Sequence, residues 1–226
     1  MCIRDRGFIV VYPEGTGRFA HRLLAWNAGH CCGRPMLDHV DDVGFIRALL
    51  DRLVDDLPVD PQRIYATGMS NGGMMTHRLG IELPDRFAAI APVVATVFGD
   101  ERLPASPVPA LMVNGQRDAS VPPAGGPSGG RFSEHWDGTP TRPVLDQGAF
   151  WAAANGCGAT PVREAGGSVT RWRYPCAAGR EVTVLLVGDN GHAWPGGRRG
   201  SRLGDVPSAT FDATEAIWAF FRTQVK

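Results

Sequence analysis

Residues 63–75 read Arg63-Ile64-Tyr65-Ala66-Thr67-Gly68-Met69-Ser70-Asn71-Gly72-Gly73-Met74-Met75. The stretch Arg63 to Gly68 carries the β-branched and aromatic residues of a strand. Asn71 to Leu83 then reads as a helix closed by Pro84, since proline cannot continue one. Between them lies Gly68-Met69-Ser70-Asn71-Gly72, a GxSxG motif set where a strand becomes a helix. The motif alone is weak, but this setting is what a nucleophile elbow demands. Such a turn is too sharp for a bulky side chain at either flank, so Gly68 and Gly72 are both expected to be required. Ser70 would then stand above the end of the sheet. The plainer alternative is a serine in an ordinary strand–helix turn, and the flanking elements favour the nucleophile.

Outward from this turn, apolar runs and amphipathic stretches alternate. Phe8 to Tyr12 (FIVVY) is a continuous apolar run and reads as a buried parallel strand. Asp41 or Asp42 can cap a helix from Val43 to about Leu57, whose apolar residues follow one-face spacing. Further strands are expected at Phe87 to Ala95, Pro109 to Asn114 and Glu181 to Val187. Helices are expected at Leu145 to Asn155 and Ala209 to Gln224. This alternation predicts an α/β fold, a mostly parallel sheet with helices on both faces. The Gly- and Pro-rich stretch Ala119 to Pro143 reads as a long loop packed over something through Phe132 and Trp136.

The chain has 226 residues, 43% hydrophobic, enough for one domain with a full core. Lys plus Arg equals Asp plus Glu at 23 each, which gives no electrostatic case for nucleic acid as partner. No apolar run has the length of a membrane span. Met1 to Arg6 (MCIRDR) lacks the apolar core of a signal peptide and is expected to be non-native. Residues 7–226 then form a single catalytic domain. It is expected to lack its first strands, since nothing upstream of Phe8 can supply the loop that usually completes an oxyanion hole; roughly 50 to 60 residues would fill that gap. None of the five cysteines stands in CxxC spacing, so a zinc site is not expected. Cys157 and Cys176 lie in loop-like sequence, either paired or two unrelated thiols. Cys31 and Cys32 have no assigned partner; neighbours bond to each other only with strain, which leaves one to stand free or pair elsewhere.

A serine hydroxyl needs an adjacent base. Among six histidines, His192 lies just past the last expected strand, in Asp189-Asn190-Gly191-His192-Ala193-Trp194, where active sites of parallel sheets are built. His77 sits mid-helix, where a surface or packing role is expected, and His21, His30, His39 and His135 are weaker loop competitors. The orienting acid is expected past the strand between Ser70 and His192, and Asp118 is placed there. The plainer alternative is that it only caps or closes the turn before Val121 and Pro122; Asp100 and Asp189 are its substitutes. The order Ser70, Asp118, His192 is that of α/β-hydrolases. The Asn71 backbone N–H is the expected oxyanion donor, and Met69 and Trp194 the expected substrate contacts. Trp26, Phe132, Trp136 and Trp194 could line an aromatic acyl pocket or simply pack loops.

The segments FIVVYPEGTGR, WNAGHCCG, VDPQRIYATGMSNGGMM, FAAIAPVVA, PVPALMVNGQRD and GHAWPGG together resemble the polyhydroxybutyrate depolymerase-like esterases, with their feruloyl and acetylxylan esterase relatives. The resemblance runs from Phe8 to about Phe221 and is most specific from Val59 to Met75 and at GHAWPGG. It implies an α/β-hydrolase fold, a triad of Ser70, Asp118 and His192, Trp194 near the site's mouth, and no metal or organic cofactor. It also implies a Cys157–Cys176 disulfide and a secreted or periplasmic location, because such esterases are often secreted. The acid loop GQRDASVP departs from the Gly-Thr-x-Asp more usual there, but keeps the acid.

The activity expected is hydrolysis of short-chain or aromatic acyl esters, free or attached to polysaccharide. The alternative is a polyhydroxyalkanoate depolymerase using the same triad. A prolyl-oligopeptidase-type peptidase would carry a propeller or cap domain. A non-catalytic binding protein would show a degraded triad, and an inactive fragment would expose a sheet edge.

Overall fold

The computed structural model describes residues 7–19, 21–128, 136–200 and 202–226. Elements run in the order α1 (Gly33–Leu37), α2 (Asp42–Asp56), β1 (Tyr65–Met69), α3 (Asn71–Glu82), β2 (Ala89–Val93), β3 (Ala110–Gly115), α4 (Val144–Asn155), β4 (Val162–Gly166), β5 (Val169–Arg173), β6 (Val182–Val187) and α5 (Ala213–Phe221). One sheet has the order β1-β2-β3-β6-β5-β4. The pairs β1/β2, β2/β3 and β3/β6 are parallel, and the β4–β5 hairpin runs antiparallel at the far side. The chain therefore has the expected mostly parallel sheet flanked by helices.

The central strands are largely apolar, with Asn114 and Thr183 the polar exceptions on β3 and β6, because both faces are covered. On β2, Ala89, Ala91 and Val93 enter one core while Ile90 enters the other; on β3, Leu111 and Val113 oppose Ala110 and Met112. On β6, Leu185 and Val187 oppose Val182 and Val184. The first face packs against α2, α3 and α4 through residues such as Ile46, Met74 and Trp151. The second packs against α5 through Ala213, Ile217 and Phe221. Each Val, Leu, Ile, Phe or Met among them contributes about 1.5–3 kcal/mol when fully buried. Asp41 is the cap of α2, accepting the Gly44 N–H at 2.8 Å. Asp42 is buried instead, accepts the Asn27 N–H at 2.7 Å, and is pushed up in pKa chiefly by burial.

Two expectations about strands are corrected. Phe8 to Tyr12 is not a sheet strand: Ile9, Val11 and Tyr12 are exposed, and Phe8 lies on Trp218 with ring centroids 4.4 Å apart. An apolar run becomes a strand only beside another strand that takes its backbone hydrogen bonds, and β1, the edge of the sheet, pairs only with β2 among the described residues. The alternation of strands and helices also breaks at the β4–β5 hairpin, which turns at Gly167–Ser168 with Gly167 at φ +57°.

Cys157 and Cys176 are bonded, tying the end of α4 to the segment after β5. A closed loop of this size restricts the unfolded chain by about 3 kcal/mol. Cys31 and Cys32, left without an assigned partner above, lie side by side just before α1, with Cys31 fully buried. Cys2, Phe132 and His135, with the rest of residues 1–6, lie outside the described residues. Among the described residues no helix is long and apolar enough to cross a membrane.

His77 is fully buried on α3. It accepts the Trp151 indole N–H on Nδ1 at 2.9 Å, so its proton is on Nε2, facing Gln147 Oε1 at 3.2 Å. Burial lowers its pKa from 6.5 to about 4, opposed by the Gln147 hydrogen bond. Neutral in the fold and protonated when unfolded below 6.5, His77 contributes stability that is complete above pH 6.5 and lost as pH falls toward 4. That loss is about 3 kcal/mol. Urea midpoints measured across this range should fall more steeply for the protein than for His77→Gln. Equal slopes would show that His77 is not the buried neutral group.

Candidate active site

Ser70 sits at φ 56°, ψ −123°, a conformation that costs a non-glycine residue and marks functional turns. It is held from both sides. Its N–H donates to Val93 O of β2 at 2.9 Å, and its carbonyl accepts the Met74 N–H of α3 at 2.9 Å. A Cβ at Gly68 would fall on the Gly72 backbone, so Gly68 is required. The expectation for Gly72 is corrected, because a Cβ there meets nothing within 4 Å. Its backbone, not its missing side chain, makes the turn. The second crowded position is Gly73, whose Cβ would lie 2.7 Å from Ala95 Cβ and 3.0 Å from Val93 O.

His192, past the end of β6, places Nε2 at 2.8 Å from Ser70 Oγ and Nδ1 at 2.8 Å from Asp118 Oδ2. An ionised carboxylate only accepts, so Nδ1–H donates to Asp118 and Nε2 is free to accept from the serine hydroxyl. The Asp118 side chain is 1% exposed. Its other oxygen accepts the Ser120 and Val121 N–H groups, each at 2.8 Å. The carboxylate thus closes its own turn and faces the imidazole at once.

The loops carrying Asp118 and His192 meet through Gly115 at the end of β3. A Cβ there would come within 2.5 Å of the Asn190 and Gly191 carbonyl oxygens. Arg117 N–H donates to Asn190 O at 2.9 Å across the same contact. Asn190, fully buried, donates through Nδ2 to Gly191 O at 2.7 Å and Ala193 O at 2.9 Å, shaping the histidine turn. Sequence reasoning passed over Asn190; its position between Asp189 and Gly191, in a turn next to the base, was the available signal.

Asn71 opens α3, so its backbone N–H has no acceptor within the helix. Its side chain fastens the segment before α1 to the turn: Oδ1 accepts the Trp26 N–H at 2.7 Å and Nδ2 donates to Trp26 O at 2.9 Å. Met69 packs beside the core under α5, and Trp194 directs its indole N–H to Thr214 Oγ1 of α5 at 3.0 Å. Trp26 stacks on Phe45, and Trp136 borders a separate cavity of about 420 Å3 with Met36 and Leu37.

The other candidates are engaged elsewhere. Asp100 and Asp137 both contact His30, at 2.9 and 2.7 Å; burial lowers the His30 pKa, but these two carboxylates outweigh it and raise it. Asp189 contacts Thr210 Oγ1 at 3.1 Å, and hydrogen bonds from Ser208 and then Thr210 hold its pKa low. His21 pairs with Glu14, and His39 lies between α1 and α2.

The family described as Esterase PHB depolymerase matches residues 2–124. Feruloyl esterase B of Piromyces equi is 33% identical over 202 residues, 86% of this chain and 35% of that protein. The putative esterase NocK of Nocardia uniformis subsp. tsuyamanensis is 34% identical over 209 residues, 84% of this chain and 58% of that protein. A poly(3-hydroxyoctanoate) depolymerase of Pseudomonas fluorescens is 40% identical over 73 residues, 29% of this chain and 26% of that protein. The chain thus spans between about a third and under two thirds of the length of the first two relatives. An acetyl xylan esterase structure from Aspergillus awamori superposes with TM-score 0.48 at 12% identity, covering 67% of this chain and 62% of that one.

The two glycines of the motif should behave differently. Gly68→Ala should lose about 1–3 kcal/mol from the backbone overlap, whereas Gly72→Ala should be neutral or gain up to about 1 kcal/mol of helix propensity. Urea denaturation of the two variants measures the difference, and equal losses would contradict the packing described.

Proposed function

This chain belongs to the Esterase PHB depolymerase family, and from that premise we propose that it is a serine carboxylic-ester hydrolase working through an acyl-enzyme. The observation that carries the reading is the continuous line from Asp118 through His192 to Ser70, with both contacts at 2.8 Å.

Ser70 Oγ attacks the ester carbonyl carbon while His192 Nε2 takes its proton. The imidazolium so formed keeps its Nδ1–H on the buried Asp118 carboxylate, which stabilises the new charge. The Asn71 N–H, which has no acceptor within α3, donates to the carbonyl oxygen as it becomes an oxyanion; losing one such donor typically costs about 100- to 1,000-fold in rate. As the tetrahedral species collapses, His192 returns the proton to the leaving alcohol, and Ser70 keeps the acyl group. Water then repeats the sequence, giving the acid and free Ser70.

The substrates proposed are short-chain or aromatic acyl esters, free or attached to polysaccharide. The relatives named as feruloyl esterases support that choice. A second reading, hydrolysis of a polyhydroxyalkanoate polyester or its oligomers, is favoured by the 40% identity to the poly(3-hydroxyoctanoate) depolymerase. Met69 and Trp194, adjacent in sequence to Ser70 and two residues past His192, are the proposed substrate contacts. Secretion to the periplasm or beyond fits the Cys157–Cys176 bond, which oxidising compartments preserve.

Hydrolysis of p-nitrophenyl acetate, methyl ferulate and hydroxyoctanoate oligomers by the purified protein tests the reading. Ser70→Ala should abolish every rate, and Asp118→Asn should lower kcat by about 10,000-fold. A dominant oligomer rate would select the depolymerase. A rate that survives Ser70→Ala would overturn the mechanism.

A further inference from the structure

His192 is held by more than Asp118. Its backbone N–H donates to Asp205 Oδ2 at 2.6 Å, across 13 positions of sequence. The residue before it has no side chain, and the space a Cβ would fill at Gly191 is occupied by the Asp205 carboxylate. The segment carrying Asp205 is itself tied to the histidine turn. Ser208 N–H donates to the buried Asn190 Oδ1 at 2.9 Å. Gly196 N–H donates to Ser208 O at 2.9 Å, and Ala213 N–H to Pro195 O at 3.0 Å. Residues 196–200 and 202–212 therefore form a strap that leaves the turn after His192, folds back, and presses one carboxylate against it.

Resting on the serine-hydrolase reading above, we propose that Asp205 is a positioning residue for that reaction: through the His192 N–H it fixes the imidazole between Ser70 and Asp118. The physical case is one of leverage. The imidazole has two side-chain torsions of its own, and hydrogen bonds at both ring nitrogens set them only if the backbone beneath is fixed. Asn190 fixes the carbonyl side of the turn through Gly191 and Ala193. Asp205 fixes the N–H side, with a charged acceptor, the stronger type of hydrogen bond. A glycine at 191 leaves the turn conformationally free on its own, and the same absent side chain admits the carboxylate that removes this freedom. A shift of about 1 Å in a reacting group can cost about 100-fold in rate.

Two variants separate position from charge. Asp205→Asn keeps an oxygen that can accept the His192 N–H, and Asp205→Ala does not. With p-nitrophenyl acetate, Asp205→Ala should lower kcat by about 10- to 100-fold with KM within about twofold, while Asp205→Asn should retain most of kcat. The downfield proton resonance of His192 Nδ1–H, which reports the contact with Asp118 without any turnover, should broaden or disappear in Asp205→Ala and persist in Asp205→Asn. Wild-type kcat and resonance in Asp205→Ala would overturn the inference. So would a loss in Asp205→Asn equal to that in Asp205→Ala. Ser70→Ala is assayed alongside: a surviving rate there would remove the serine-hydrolase reading, and the resonance would still decide whether Asp205 holds the imidazole.

Discussion

The backbone of residue 72 lies where a side chain on residue 68 would be, and the geometry of the site follows from that approach. It forces Ser70 into a positive-φ conformation between β1 and α3 and lifts its Oγ off the end of the sheet. The strain is held by β2 in front, through Val93 O, and by the first turn of α3 behind, through Met74 N–H. Gly73 completes the packing by letting α3 settle onto Val93 and Ala95.

A second close approach brings the other two residues in. Gly115 ends β3 against the carbonyls of Asn190 and Gly191, so the acid-bearing loop and the base-bearing loop share a backbone contact before any side chain is considered. Parallel pairing of β3 with β6, in register from Ala110↔Val182 to Gly115↔Val187, delivers both loops to the same edge of the sheet. Asp118 and His192 then meet over a short span, with Asp118 spending one oxygen on its own turn and the other on the imidazole. The whole arrangement is a set of backbone approaches enabled by Gly68, Gly73, Gly115 and Gly191, with the three polar side chains set on top.

Much of this was legible in the amino-acid sequence because it rests on local patterns. The strands β2, β3 and β6 are rich in apolar and β-branched residues, β1 carries the β-type Tyr65 and Thr67, and α2 shows its buried face in the spacing of Val43, Ile46 and Leu50. The residues that meet at the site could be picked from their places just past strand ends. What was not legible depended on partners. Phe8 to Tyr12 has the composition of a buried strand but lies outside the sheet, since composition says nothing of who takes the backbone hydrogen bonds. The β4–β5 hairpin was missed because β4 is exposed throughout and carries Arg163 and Glu164, so no apolar run announces it. Gly72 looked necessary by symmetry with Gly68, and only the three-dimensional crowding separates them. Asp205 gave no sign, being one exposed aspartate in a polar, Gly-rich stretch whose importance is created by the fold of residues 196–200 and 202–212.

The central claim is that His192 makes the Ser70 hydroxyl nucleophilic. The most direct measurement is covalent labelling with a fluorophosphonate, followed by mass analysis of the proteolysed chain. The account predicts one adduct per molecule, on the peptide containing Ser70, with its rate of formation collapsing in His192→Ala. Labelling of another residue, no labelling of the folded protein, or an undiminished rate without His192 would contradict it.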